Sequence, residues 1–304
     1  MREDRRSKND IYQFETYYKN IWKSGKYDFF GDWTVYDTVL EDRGIKALRR
    51  RKALQKVVSK VMREVGDDDV TLIKHSEECM EGKEVLKYHP EEIRPFDFSG
   101  PQGIMTVGNA YTICDTTTLH HEGSSEQSNE HSGPYKTMNA EVGLYKDNLR
   151  FRLKLSYAIH EEDTLDDSIT STHPPLYLKN VVICRETTLD FPNPDKHTTL
   201  YESLGAPGGI YDPPPIRKEN QYLQLDLEGR ATALFPSKID QDMDDGTGWV
   251  MTLDWTTDEL RYQADRKVFG GLGIKGLYRL ELSEVRSEDS ELWRPKKGPQ
   301  NMTQ

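Results

Sequence analysis

The sequence predicts a mainly β fold, an antiparallel sheet closing into a barrel, with an N-terminal helix and one further helix. Two observations carry this. From Gly103 onward, short runs alternate β-branched or aromatic residues with polar ones, as half-buried strands do. Turn-forming pairs such as Asp147-Asn148 and Glu228-Gly229 separate neighbouring runs, as in hairpins. Strands so numerous and closely spaced remove their exposed edges by closing on themselves.

Residues 8–24 read as a helix, with Ile11, Phe14, Tyr18, Ile21 and Trp22 on one stripe. Such a helix packs on the barrel or plugs one end. After Gly25 the period changes to two. In D-W-T-V-Y-D-T-V-L, Trp33, Val35 and Asp37 share one face, and Thr34, Tyr36 and Thr38 the other. Residues 45–64 read as the second helix, with Ala47, Leu48, Leu54, Val57, Val58 and Val61 on its apolar side. Residues 66–100 are acidic and mixed, with short strands at best. Strands are expected at 104–114, 138–146, 149–159, 177–188, 221–226, 229–235, 249–255, 258–269 and 275–285.

Five segments follow: an N-terminal helical part (1–26), a first barrel (27–189), a Pro-rich crossover (190–219), a second, incomplete half (220–288) and a disordered tail (289–304). Residues 122–134 and 161–173 read as loops on composition. The runs beginning Leu149-Arg150-Phe151-Arg152 and Leu260-Arg261-Tyr262-Gln263 echo each other. Duplication of a barrel half explains the echo, and chance alternation explains it equally well.

Composition narrows function. The net charge of −11 argues against a nucleic-acid partner, which wants a basic surface. No run approaches the roughly 18 apolar residues of a membrane-spanning helix, and MREDRRSKND lacks the apolar stretch of a signal peptide. A soluble protein is expected. Three widely spaced cysteines, Cys79, Cys114 and Cys184, suggest buried thiols in a reducing compartment.

Gly31-Asp32-Trp33 opens the first strand after a short helix. With the runs Trp255–Phe269 and Gly276–Glu284, it resembles a lipocalin-like family of cyanobacteria and plastid-bearing organisms, similar to phycobilin lyases of the CpcS and CpcT type. The resemblance spans about residues 27–285, and the second half lacks a clear G-x-W. It implies two barrel-like halves in tandem, with Trp33 packed across a barrel floor under an arginine from a late strand. It also implies a plastid setting for a chain whose transit peptide is missing, and otherwise a cytoplasmic one.

The expected ligand-binding residues are Trp33, Arg150, Arg152, Glu186, Trp255, Arg261 and Tyr278. On 149–159, Phe151, Leu153, Leu155 and Tyr157 form one face, and Arg150, Arg152 and Lys154 the other. An apolar lining suits a hydrophobic ligand; a basic lining suits a carboxylate, which arginine grips bidentately. The alternative is an apolar face packed as core and a basic face in water. Glu186 or Glu284 near Arg150, Arg261 or Arg279 forms the titratable pair that an enzyme would need.

Other motifs are weak. His120, His121, Glu122 and His131 lie in a Ser/Gly-rich stretch and are better read as loop residues than zinc ligands. Asp240 to Gly246 fails the calcium-loop pattern at its sixth and twelfth positions, Asp245 and Met251. No metal or cofactor is therefore expected. The cations from Lys46 to Arg63 offer a basic helix to an anionic surface or acidic partner, or simply face water. No nucleophile elbow, phosphate-binding loop or HExxH occurs, and Cys184 reads as an inert buried thiol. Three functions stand open: a barrel that binds a small hydrophobic or amphipathic molecule such as a pigment, tetrapyrrole or lipid; a barrel enzyme such as a chromophore lyase or isomerase; and an assembly protein with a filled interior.

Overall fold

A computed structural model describes residues 8–41, 44–67, 69–81, 83–98, 103–118, 135–146, 148–160, 174–188, 216–219, 222–227, 231–241, 248–256, 260–269 and 277–286; from 255 onward it describes the backbone. The loops 122–134 and 161–173, the histidine-bearing stretch, most of the Pro-rich crossover, the aspartates Asp242, Asp244 and Asp245 and the tail 289–304 lie outside the described residues.

The chain opens with α1 (Lys8–Thr16), a π-helical turn (Tyr17–Ile21) and a short 3-10 turn (Lys23–Gly25). Strands follow: β1 (Phe29–Glu41), β2 (Gly44–Val65), β3 (Thr71–Glu81), β4 (Glu84–Ile93), β5 (Ile104–Val107), β6 (Ala110–Thr118), β7 (Tyr135–Lys146), β8 (Leu149–Ala158) and β9 (Leu176–Thr187). Beyond the Pro-rich stretch come β10 (Ile216–Glu219), β11 (Tyr222–Leu227), β12 (Ala231–Pro236), β13 (Lys238–Ile239), β14 (Gly248–Thr256), β15 (Leu260–Phe269) and β16 (Leu277–Arg286). The fold is thus mainly β with an N-terminal helix, and every strand pair is antiparallel among the described residues.

The second expected helix is instead β2, a strand of 22 residues. Its pairing with β1 explains the misreading. Gly31 to Trp33 faces Val57 to Leu54, Val35 to Tyr36 faces Lys52 to Arg50, and Val39 to Leu40 faces Ala47 to Ile45, so β2 carries an extra residue at each step. These bulges break the period of two. They leave buried Ile45, Leu48, Leu54 and Val57 spaced by multiples of three, which imitates a helix stripe. The cations of 46–63 accordingly lie along a bulged strand and not on a helix. Several pair with acids: Lys46 with Glu41 at 2.6 Å, Arg63 with Glu15 at 2.6 Å and Lys60 with Asp28 at 3.4 Å.

Residues 66–100 likewise hold more strand than expected, since β3 has 11 residues and β4 has 10. The run 104–114 divides into β5 and β6 at a turn whose Gly108 adopts φ 56°. That left-handed backbone suits glycine.

The strands form two sheets. One has ten strands, ordered β4-β3-β2-β1-β9-β8-β7-β6-β5, with β13 paired to β9. The other has six, ordered β10-β11-β12-β14-β15-β16. Among the described residues no strand pairing joins β4 to β5, so no closed hydrogen-bonded barrel is present. The larger sheet nevertheless curls strongly. Residues four strands apart in a flat sheet would lie about 19 Å apart. Yet Arg152 of β8 reaches Glu77 of β3 at 3.1 Å.

Each face has its own core. The convex face carries Phe151, Leu153, Leu155 and Tyr157 of β8 with Met138, Val142, Val181 and Ile183, packed against Leu223, Leu225, Phe235, Met251 and Leu253 of the smaller sheet. Each such side chain contributes roughly 1.5–3 kcal/mol when fully buried. The Tyr157 hydroxyl donates to the Pro236 carbonyl at 2.9 Å, satisfying its polar tip. On the concave side, Phe14, Tyr17, Ile21 and Trp22 of the N-terminal segment pack with Ile73 and Ile93 of β3 and β4, and with Ile104, Tyr111 and Tyr145 of β5, β6 and β7. The helix therefore lies between the two ends of the curled sheet. Among the described residues, no helix is long and apolar enough to cross a membrane.

Candidate functional site

Both faces of β8 are buried. The alternation expected from sequence is present, and its apolar half is packed core. The basic half does not face water: Arg150 and Arg152 are each 1% exposed. They point into the concave side, where period-two alternation on neighbouring strands brings Phe29, Gly31 and Trp33 of β1, Glu141, Gly143 and Tyr145 of β7, and Cys184 and Glu186 of β9 to the same face.

Glu186 is the centre. It is fully buried and accepts from Arg150 Nε at 2.6 Å and from Trp33 Nε1 at 2.9 Å, and it also accepts from Arg152 Nη2. Arg152 extends the network: Nη2 donates to Glu77 at 3.1 Å and Nη1 to Glu141 at 3.2 Å. Ser59 Oγ donates to Glu77 at 3.3 Å, and His75 Nε2 lies 3.1 Å from the same carboxylate. Tyr111 donates to Glu141. The Tyr111 ring reaches that position because residue 143 is glycine. A Cβ there would come within 2.2 Å of the ring.

Aromatic rings hold the cations from their faces. The Arg150 guanidinium stacks on Trp22 at 4.2 Å and on Phe29 at 3.8 Å. Arg152 lies 5.1 Å and the Lys154 ammonium 4.5 Å from the Trp33 ring centre. The turn after Trp22 is sharp: Lys23, Ser24 and Gly25 all have positive φ, at 50°, 57° and 65°. For lysine and serine this is strained backbone. Tyr18 secures it by donating to the Ser24 carbonyl at 2.8 Å.

Burial alone would raise the carboxyls. For Glu186 the charges and hydrogen bonds of Arg150 and Arg152 overcome it and bring the pKa to about 2. Against the same burial, Lys154 and Arg152 hold Glu141 low, and Lys154, His75 and Arg152 hold Glu77 well below the usual range. Burial and the Glu141 charge push Tyr111 well up, so its phenol stays protonated. Burial likewise raises the Cys184 thiol against the nearby cations, which leaves it inert. The three cysteines are free and buried.

Exposure rises along the concave face away from α1. Lys154 is 27% exposed, and its ion pairs to Glu77 and Glu141, at 3.7 and 3.6 Å, are longer than hydrogen bonds. Beyond it, Ser156 and Asn180 are half-buried and Asp115 and Asn139 exposed, all at inward positions of their strands. The concave face thus runs from a covered, charged floor to a polar, accessible mouth.

Four of the expected site residues, Trp33, Arg150, Arg152 and Glu186, come together here. The backbone places Trp255, Arg261 and Tyr278 on β14, β15 and β16 of the other sheet, with Arg279 and Glu284 also on β16; their side chains lie outside the described residues. Sequence reasoning missed Glu77, Glu141, His75, Tyr111 and Trp22 as members. The alternation Ile73, His75, Glu77, Cys79 on β3 was a usable signal, but a charged inward face carries no apolar stripe.

No family model matches this chain, and no curated protein does. Solved structures that align with it include two mutant porins of Rh. blastica, 10% and 11% identical over 84% and 83% of this chain and 77% and 87% of theirs, with TM-scores of 0.18 and 0.17. A third, described as "Asymmetric conductivity of engineered proteins", is 10% identical over 85% of this chain and 99% of its own, with a TM-score of 0.17. Similarity at this level carries no argument about fold or function.

Proposed function

We propose that this chain is a binding protein. Its larger sheet curls as a lipocalin-type sheet would, and the concave face takes one small amphipathic molecule, carboxylate toward Lys154. One observation carries the reading: three carboxylates and three cations are gathered at one end of an otherwise foldable interior. Taking such charges out of water costs several kcal/mol per ion, and apolar residues of equal volume fill a core at least as stably. A fixed polar floor beneath an accessible polar mouth is what orients a ligand bearing charge. Polar Asn139, Asn180 and Ser156 at the mouth favour an amphipathic ligand over a wholly apolar one.

The same electrostatics favour binding over a barrel enzyme. Glu186 is held as an anion, and Tyr111 as a phenol, over the whole neutral range. They orient charge and do not shuttle protons. The plastid setting belongs to this reading through the lipocalin-like resemblance alone.

Native mass spectrometry and an absorption spectrum of protein purified from its own source identify the ligand. In titration with that ligand, Lys154→Gln is expected to weaken binding about tenfold, the value of one charge-assisted contact. Unchanged affinity in a folded Lys154→Gln protein, or a natively purified protein carrying no small molecule, overturns the proposal.

A further inference from the structure

The floor has a second feature, on the covered side of Glu186. Arg150 gives Glu186 only its Nε–H. The other carboxylate oxygen is occupied by Arg152 and Trp33, so the usual two-pronged grip is not made. Both terminal nitrogens of Arg150, Nη1 and Nη2, are buried and have no partner among the described residues. The same is true of Trp22 Nε1, on the ring stacked against that guanidinium. These are donors only, and a buried donor without an acceptor forfeits its hydration.

The charges point the same way. Lys23 places its ammonium 3.7 Å from the centre of the Tyr145 ring, which packs at 5.9 Å on the Phe29 ring that bears Arg150. Lys23 thus adds a cation on the Tyr145 side of the cluster in which Arg150, Arg152 and Lys154 meet Glu77, Glu141 and Glu186. His75, stacked on Trp22 at 4.6 Å, is neutral or adds to the cationic side.

We infer that Arg150 and Trp22 form a site for a carboxylate, seated edge-on against Nη1 and Nη2 of Arg150, the nitrogens that the structure leaves without an acceptor. A planar, two-oxygen anion matches the free edge of a guanidinium. Trp22 Nε1 supplies a third donor. Lys154 lies four residues along β8, about 13 Å away, so this site is distinct from the mouth.

The test is thermal unfolding of the full chain with sodium formate, against sodium chloride at equal ionic strength. Formate is expected to raise Tm saturably while chloride does not. A laurate series separates sources: equal midpoints for formate and laurate mean a small-anion site, and a much lower laurate midpoint that Trp22→Phe raises means the head-group pocket of a longer molecule; both support the site, and a laurate shift that Trp22→Phe leaves unchanged belongs to the mouth and counts against it. Trp22→Phe keeps the ring and removes one donor, and is expected to weaken formate about tenfold. Arg150→Lys, if folded by near-UV circular dichroism, is expected to abolish the effect. Equal shifts with formate and chloride, no saturable shift, or an unchanged midpoint in Trp22→Phe overturns the inference.

Discussion

The two faces of β8 present opposite solutions to burial. Its convex face is apolar, packs against a second sheet and gains free energy from every methylene it hides. Its concave face is charged, and each cation there stays buried only because a carboxylate or aromatic ring meets it. The first kind of core depends on volume and tolerates rearrangement. The second depends on partners, so the loss of one group exposes the whole cost of the other.

This contrast is sharpest at Glu186. Glu186→Gln, nearly isosteric, is expected to destabilise the protein by roughly 3–5 kcal/mol, because Arg150 and Arg152 lose their shared anion. Equilibrium urea melts measure it, and a change near zero removes Glu186 from the centre of the network. The wild-type melts carry a matching pH signature. The folded Glu186 carboxyl is depressed from 4.5 to about 2, and Glu77 and Glu141 are also depressed. The unfolded chain therefore binds more protons, so their stabilisation is complete above about pH 5 and drains away toward pH 2. Glu186→Gln is expected to flatten that acid limb.

On the convex face the corresponding change is Leu153→Ala, at a side chain with no exposed surface. A loss of about 2–4 kcal/mol is expected, from transfer and cavity terms. Here the acid limb should keep the wild-type shape. A changed pH dependence in this variant would show that the two cores are not separate.

The smallest effect tests how the charged face is positioned. Gly143→Ala puts a Cβ into the Tyr111 ring and is expected to cost about 1–3 kcal/mol. The Glu141 contact should loosen with it, so the Tyr111 phenol titrates at lower pH in the variant. Ultraviolet difference titration reads that change, and an identical curve argues that Tyr111 is not held by the open space over residue 143.

Legibility followed the same division. Where one face is apolar, as in β7, β8 and β9, alternation in the sequence located the strand ends to within three residues. Where the inward residues are charged or small, as with His75 and Glu77 on β3, there was no hydrophobic stripe to read. β2 failed for another reason: its bulges converted a period of two into threes, and a helix was the natural misreading. Within the site, Arg150, Arg152, Trp33 and Glu186 were singled out by chemistry on adjacent strands or by the G-x-W resemblance. Glu77 was not, because it lies 75 residues before Arg152 in the chain.

By itself the sequence determined the β class, the N-terminal helix and the two chemically opposed faces of β8, since these follow from local alternation and propensity. Only the tertiary structure decided that the basic face turns inward, that Trp22 lies on Arg150, and that Glu77, Glu141 and Glu186 converge on three cations. Those outcomes depend on how far a sheet curls. Curl is set by bulges and by packing between distant strands, and residue order does not display it.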